Sequence, residues 1–294
     1  MKVLSKLDPL PHTSIGLTFG NFDGVHLGHL AILKTLKQVT NHTVVITFLN
    51  HPKEILQGEP PLRICTHAHK IDLLKKNGVN TLISLPFTKE LSHLSAKEFL
   101  SKIKLNIPFT QLILGDDARF GYQRDGTQET IQEIGKELDF SFLFLKPQTY
   151  DNFPISSSRI RKCIQEGDLI LIKKLLGRPY SVRGSVISGA GRGRQMGYPT
   201  ANLKTDGLVL PPMGVYAVSI EGKVGIANLG LAPTFGEGGN PLLEVHIINQ
   251  NLSIEGEIEV TFERFLRKET KFESIEALRV QIEKDINHLV CTRA

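Results

Sequence analysis

The sequence predicts an α/β chain in two parts: a doubly wound, mostly parallel sheet, then a small β-barrel with one terminal helix. Three observations carry that expectation. Short apolar runs alternate with helix-patterned segments as far as Pro154. Beyond Tyr180 the chain turns glycine-rich, and strand-like runs follow one another with no helix between them. The 294 residues are also about twice a typical domain of ~150 residues.

In the first part, Ile15–Gly20, Thr43–Phe48, Thr81–Leu85, Gln111–Gly115 and Phe140–Leu145 read as strands. They are apolar on both faces, as strands between two helix layers must be. His29–Gln38 places Leu or Ile at 30, 32, 33 and 36, a helical stripe. Thr66 caps a second helix that Gly78 ends, and Ser95–Lys104 and Thr127–Leu138 complete the set. Alternation at this spacing specifies parallel strands joined by helical crossovers. After Pro154, Ser156–Glu166 forms a short helix closed by Gly167, and Asp168 caps another closed by Gly177. The barrel strands are then Tyr180–Ile187, Gly214–Ile220, Lys223–Asn228, Leu242–Ile248 and Glu257–Phe265, with Glu221-Gly222 as a hairpin turn. An amphipathic helix, Ser274–Leu289, ends the chain. The boundary falls near Leu176–Tyr180, which divides the chain into 1–176 and 177–294.

Composition narrows the function classes. Apolar residues make up 40% of the chain, so a disordered tail is excluded. A net charge of +5 permits phosphate-bearing ligands or nucleic acid and selects neither. Cys65, Cys163 and Cys291 lie far apart, without metal or redox spacing, as suits a reducing cytoplasm. No apolar run approaches the ~20 residues of a membrane span. Asp8, Pro9, Pro11 and His12 interrupt any signal-peptide core. A soluble cytoplasmic protein without a membrane partner is expected.

A first candidate site lies where strand Ile15–Phe19 runs into Gly20-Asn21-Phe22-Asp23-Gly24-Val25-His26-Leu27-Gly28-His29. Small residues let the backbone turn and approach a ligand, and the following helix aims its N-terminus at the same spot, which favours phosphate. His26 and His29, three apart, share a face of the first turn. Two imidazoles there can donate to phosphate oxygens, the stabilisation that nucleotidyl transfer requires. The same residues admit two other readings: a metal held by Asp23, His26 and His29, or a glycine turn with incidental histidines. The G-x-G-x-x-G dinucleotide fingerprint is absent, which argues against an NAD-type protein.

This stretch resembles the H-x-G-H signature of the nucleotidylyltransferases, and in its longer form, GNFDGVHLGH, that of the prokaryotic bifunctional riboflavin kinase/FMN adenylyltransferases. His51-Pro52 after the second strand, Gly115-Asp116-Asp117-Ala118-Arg119-Phe120-Gly121 and Ile155-Ser156-Ser157-Ser158-Arg159-Ile160-Arg161 follow that family in order. Ala118 stands where the family usually carries Phe. The Ser-rich motif puts hydroxyls at a helix start with Arg161 one turn in, a clamp for triphosphate; standing alone it would be an ordinary capped helix. By the resemblance, the first domain is a Rossmann-like FMN adenylyltransferase. The same resemblance implies that His26 and His29 are catalytic and that Gly20, Asn21, Asp23, Gly28, His51, Asp117, Ser157, Ser158 and Arg161 bind nucleotide and flavin.

A second candidate site opens at Gly189–Asn202, GAGRGRQMGYPTAN. Gly189, Gly191, Arg192, Gly193 and Arg194 make a cationic flap suited to phosphates, though in isolation it could equally be an RNA-binding segment or a solvated hairpin. Thr200 and Asn202 lie two apart, so on an extended segment both face one way, and their oxygens suit Mg²⁺ carrying ATP phosphates. A proline-led turn with self-bonded Thr and Asn fits the same letters. Glu244, among Leu243, Val245 and Ile247, is either a general base or an exposed edge-strand carboxylate. The order GRPYSVRG, GRGRQMGYPTANL, LPPMGVYAV, NLGLAPTFG, LLEVHI and FLRKETKF resembles the riboflavin kinase domain of the same family. That resemblance implies Mg²⁺ on Thr200 and Asn202, Glu244 as base, and Arg267 near the flavin. Asn249-Gln250 and Ser253-Ile254-Glu255-Gly256 depart from the family's usual aromatic and turn residues.

The function expected is phosphorylation of riboflavin to FMN and adenylylation of FMN to FAD, with Mg²⁺ and ATP. The rivals are a nucleotidylyltransferase with another phosphorylated acceptor and a basic RNA-binding protein using the Gly-Arg flap. The latter needs aromatic platforms, for which Tyr180 and Tyr198 are the candidates. Charge placement favours the enzyme. Nine Lys or Arg and two acids lie between Arg159 and Arg194, so that stretch carries +7 and the remainder −2. The excess sits at two phosphate sites, and nucleic acid is not needed to explain it.

Overall fold

The structure is a computed structural model and describes residues 1–187, 197–231, 241–248 and 256–291. The chain forms two compact units. One comprises Met1–Leu62 with His67–Ser157, the other Arg63–Thr66 with Ser158–Ala294.

The first unit is built on a six-stranded parallel sheet of β1 (Lys2–Leu4), β2 (Ile15–Phe19), β3 (His42–Phe48), β4 (Thr81–Leu85), β5 (Phe109–Gly115) and β6 (Ser141–Leu145), in the order β1-β4-β3-β2-β5-β6. Alternation along the strands assigns the two faces. Ile15, Leu17, Val44, Ile46, Leu112 and Leu114 bury against Phe99, Leu100 and Ile103 of α5 (Ala96–Asn106) and Ile131 and Ile134 of α6 (Gln128–Leu138). Gly16 faces the other way, against Leu36 and Thr40 at the end of α1 (Leu27–Val39). Both faces are covered, which is why the strand sequences are apolar throughout. Helix starts follow their caps: at α5, Glu98 N–H donates to Ser95 Oγ (3.2 Å), and Ser95 N–H donates to Glu98 Oε2 (2.8 Å).

The sheet order sets the site. From β2 the chain steps outward through β3 to β4, then crosses to β5 on the other side of β2. The crevice at the carboxyl ends of β2 and β5 is therefore the topological switch point, where open α/β sheets bind ligands.

The second unit contains α7 (Ser157–Glu166) from Ser158 onward and α8 (Leu169–Leu176), then a closed antiparallel barrel, and finally α9 (Ile275–Cys291). The barrel strands are β9 (Ser181–Ile187), β10 (Ala201–Leu203), β11 (Gly214–Ile220), β12 (Lys223–Leu231), β13 (Pro241–Ile247) and β14 (Glu257–Arg267), ordered β10-β13-β12-β11-β14-β9. Glu221 and Gly222 make the β11–β12 turn with φ of 50° and 80°, the doubly left-handed geometry of a tight hairpin. Tyr180, Tyr216 and Phe262 fill the barrel interior. Val215, Ala217 and Ile226 point outward against Leu289 of α9.

The structure adds elements that the sequence pattern does not announce: β1, α2 (Pro52–Gln57), α4 (Lys89–Ser92), the β7 (Thr149–Tyr150)–β8 (Phe153–Pro154) hairpin, and β10 as a strand of the barrel. Tyr180 is no base platform: it is 2% exposed, stacked on Phe262, with its hydroxyl donated to the Val209 carbonyl.

Candidate active sites

The first site follows from how β2 ends. Gly20 N–H donates to Ile46 O (3.0 Å), the last rung before the chain leaves the sheet. The next turn needs left-handed backbone at Phe22 (φ 50°), Gly24 (φ 77°) and Val25 (φ 40°). Such φ values are unfavourable for bulky and β-branched residues, and burial of both Phe22 and Val25 holds them there. Anchors fix the turn from two sides. The Asn21 carbonyl accepts from Lys70 Nζ (2.7 Å) and Thr47 Oγ1 (3.1 Å), and the Asp23 carbonyl accepts from Ser157 Oγ (3.0 Å).

The turn delivers His26 to the N-cap of α1, with His29 three residues on. The rings stack with centroids 3.7 Å apart, and Phe22 lies against His29 at 4.7 Å. His26 N–H donates to His29 Nδ1 (3.3 Å). An accepting Nδ1 puts the His29 proton on Nε2, which is thereby a donor. Gly28 has a steric reason: a Cβ there would lie 3.1 Å from the His26 ring and 3.6 Å from the Ile155 carbonyl. The arrangement presents imidazoles and first-turn backbone N–H groups at the switch point, a cradle for phosphate. Among the described residues no group of three or more His, Cys, Asp or Glu could hold a metal, so the Asp23–His26–His29 metal reading fails.

The other predicted residues of this unit are distributed around the strand ends. His51 caps α2, where its Nδ1 accepts from Lys53 N–H (3.1 Å). Asp117 lies in the exposed turn after β5, beside Asp116, whose Oδ1 accepts from Gln128 Nε2 (3.0 Å). Ser158 and Arg161 stand on α7 and belong to the second unit. Sequence reasoning missed Lys70. It is a buried lysine of α3 (His67–Lys76) whose sequence neighbours resemble any helix surface, and only the tertiary fold brings it under Asn21.

The second site is a row across three strands. The registers pair Asn202 of β10 with Glu244 of β13, and Glu244 with Asn228 of β12. Directly paired residues of antiparallel strands share a face, so amide, carboxylate and amide stand side by side. Val245 and Ile247 point into the barrel and are buried, so Glu244 and His246 face outward, toward the side that α9 partly covers. Asn202 is 7% exposed, and its Oδ1 has no hydrogen-bond partner among the described residues. A buried carbonyl oxygen without a donor is costly unless a cation or ligand fills the role. Thr200, two residues earlier, is exposed. Two neutral hard oxygens, one of them buried and unmatched, fit Mg²⁺. Asn228 was missed, because only the register reveals it. Its Nδ2 donates to Glu269 Oε1 (3.1 Å).

Arg267, at the end of β14, is engaged by α9. Its Nε lies 3.0 Å and its second terminal nitrogen 2.9 Å from Asp285 Oδ2, and Phe272 lies under the guanidinium at 5.7 Å. Gly189, Gly191, Arg192, Gly193 and Arg194 fall outside the described residues, as do Asn249-Gln250 and Ser253-Ile254-Glu255.

Comparison with known proteins agrees with both halves. The FAD synthetase family model matches residues 9–159 and the riboflavin kinase family model residues 176–290. The bifunctional riboflavin kinase/FMN adenylyltransferase of Buchnera aphidicola subsp. Schizaphis graminum is 39% identical, over 94% of this chain and 93% of that protein. Its counterparts in Haemophilus influenzae (37%, over 92% and 91%) and Escherichia coli K12 (32%, over 96% and 94%) are similar over nearly the full length. A crystal structure from Streptococcus pneumoniae, described as a macrolide-efflux protein, superposes with a TM-score of 0.85 at 31% identity and covers 97% of both chains. The efflux description attaches to that protein and is shared by neither family model nor these curated relatives. With a parallel sheet carrying a histidine pair at its switch point and a barrel carrying the Asn202–Glu244 row, the chain belongs to the bifunctional riboflavin kinase/FMN adenylyltransferase family.

Proposed function

We propose that this chain converts riboflavin and ATP to FMN and ADP in the barrel, and FMN and a second ATP to FAD and pyrophosphate at the parallel sheet. In the kinase reaction, Glu244 takes the proton of the ribityl 5′-hydroxyl, whose oxygen attacks the γ-phosphorus while ADP leaves. Thr200 and Asn202 hold Mg²⁺, which neutralises charge on the ATP phosphates when bound. Gly189, Gly191, Arg192, Gly193 and Arg194 supply positive charge and small residues for those phosphates, and Arg267 borders the flavin with its charge balanced by Asp285.

In the adenylyl transfer, an FMN phosphate oxygen attacks the α-phosphorus of ATP and pyrophosphate leaves. His29, through Nε2–H, and His26 donate to the phosphate oxygens as charge grows in the transition state. Gly20, Asn21, Asp23, Gly28, His51 and Asp117 shape the nucleotide crevice, and Ser157, Ser158 and Arg161 are assigned to the phosphates by the motif they form in sequence. We keep 1–176 and 177–294 as the functional division, since the riboflavin kinase match begins at residue 176. We place the work in the cytoplasm, where buried thiols such as Cys65 and Cys163 stay reduced. No helix among the described residues is long and apolar enough to cross a membrane.

The observation that supports this reading most is that each unit carries its own phosphate-chemistry set, one with imidazoles at a helix start and one with a carboxylate beside an unmatched buried amide oxygen. The test is incubation with riboflavin, ATP and Mg²⁺ followed by chromatography of the flavins. FMN and FAD should accumulate, and the appearance of neither would refute the proposal.

A further inference from the structure

The β10–β13 ladder ends at Ala201, which pairs with Val245. One residue earlier stands Thr200, and before it Pro199, which has no N–H for a further rung. A side chain takes over at that point. Outward-facing His246 is within hydrogen-bond distance of the Pro199 carbonyl through Nδ1 (2.8 Å). A carbonyl only accepts, so Nδ1 carries the proton and donates it. Thr200 is thus held from both sides, by the last backbone rung and by the imidazole two residues from Glu244.

A second layer braces this contact. The Tyr198 ring meets the His246 ring edge-on, with centroids 5.4 Å apart. Tyr198 hydroxyl donates to Glu283 Oε1 of α9 (3.1 Å), and Arg279 Nε lies 3.3 Å from the same oxygen. A continuous chain of contacts runs from the terminal helix through Tyr198 and His246 to the backbone that presents Thr200 and Asn202.

We propose that His246 is a positioning residue of the kinase site: its Nδ1–H bond to Pro199 fixes the Thr200–Asn202 segment at the height of Glu244, and α9 braces it through Tyr198 and Glu283. The consequence for Mg²⁺ rests on Thr200 and Asn202 being its ligands, as argued above. The geometric claim does not.

The test compares His246→Phe, which keeps the ring contact and removes the donor, with His246→Asn, whose amide nitrogen stands where Nδ1 stood. Amide exchange of peptide 198–203 is measured on the metal-free chain, with β11 and β12 peptides as a control for folding. Half-saturating Mg²⁺ for FMN formation is measured in parallel. In His246→Phe the 198–203 amides should exchange about tenfold faster, and half-saturating Mg²⁺ should rise roughly two- to tenfold, the range expected for one lost hydrogen bond. FAD formation from supplied FMN should be unchanged. His246→Asn should recover most of the protection, and Tyr198→Phe should lose part of it. Unchanged exchange in His246→Phe, or equally fast exchange in His246→Asn, overturns the positioning claim. Asn202→Ala, run alongside, keeps the two ideas apart: if it leaves half-saturating Mg²⁺ unchanged, the ligand assignment fails while the exchange data still judge His246.

Discussion

Asp285→Ala should destabilise the barrel unit strongly, because it removes the carboxylate paired with the Arg267 guanidinium. Arg267 meets Asp285 through Nε and a terminal nitrogen, at 2.9–3.2 Å, in a two-pronged geometry. The Asp285 side chain is 7% exposed and that of Arg267 22%. Removing one partner of a fully buried pair costs about 3–5 kcal/mol. Arg267 retains some access to water and keeps its bond to the Lys268 carbonyl, so about 2–3 kcal/mol is the expected loss. Gln281 Nε2 loses the same acceptor. With a urea dependence of about 1.5 kcal/mol per molar for a unit of this size, the midpoint should fall by roughly 1.3–2 M. The chain has no Trp, so tyrosine fluorescence and near-ultraviolet dichroism report the interior residues Tyr180 and Tyr216. Combining Asp285→Leu with Arg267→Met should recover at least about 1 kcal/mol, since two apolar groups leave no charge unmatched. A fall below about 0.3 M, or a double variant no better than Asp285→Ala, would refute the reasoning.

Other consequences are equally concrete. Gly28→Ala puts a Cβ 3.1 Å from the His26 ring, so FAD formation from FMN should drop at least about tenfold, with riboflavin phosphorylation retained; equal loss of both would contradict it. His42 titrates below the ordinary imidazole range, first because burial disfavours its charged form and then because His12, stacked on it at 3.8 Å, repels it. The unfolded chain therefore binds more protons there, and stability of the first unit should fall as pH drops below about 6.5. In His12→Asn the difference in Tm between pH 7.5 and 5.5 should narrow, and an unchanged difference would argue against the repulsion.

Much of the fold was legible in local pattern. Strands β2 to β6 declare themselves because both faces are apolar, and helix ends follow Ser95, Thr127, Asp168 and Gly177, whose caps are local chemistry. The elements that escaped notice lack such signals. β1 has three residues, none of them buried, and α2 and α4 bury no residue at all, so neither has a hydrophobic period to read. The β7–β8 turn is the exception, since Asp151-Asn152, with φ of 51° and 63°, is a readable hairpin pair. At the sites, residue types were readable but company was not. Glu244 alone was ambiguous between base and edge carboxylate. Pairing with Asn202 and Asn228 is a matter of long-range register, which adjacent residues do not encode. Lys70 under Asn21 and Asp285 on Arg267 are likewise contacts between segments far apart in sequence.

Two chemistries on two separate sets of residues form the centre of this account, and one assay tests them together. Glu244→Ala and His29→Ala are each given riboflavin with MgATP, and separately FMN with MgATP, and the flavins are resolved by chromatography. Glu244→Ala should fail to make FMN yet convert supplied FMN to FAD, whereas His29→Ala should make FMN and stop there. Loss of both conversions in either folded variant would contradict two independent sites.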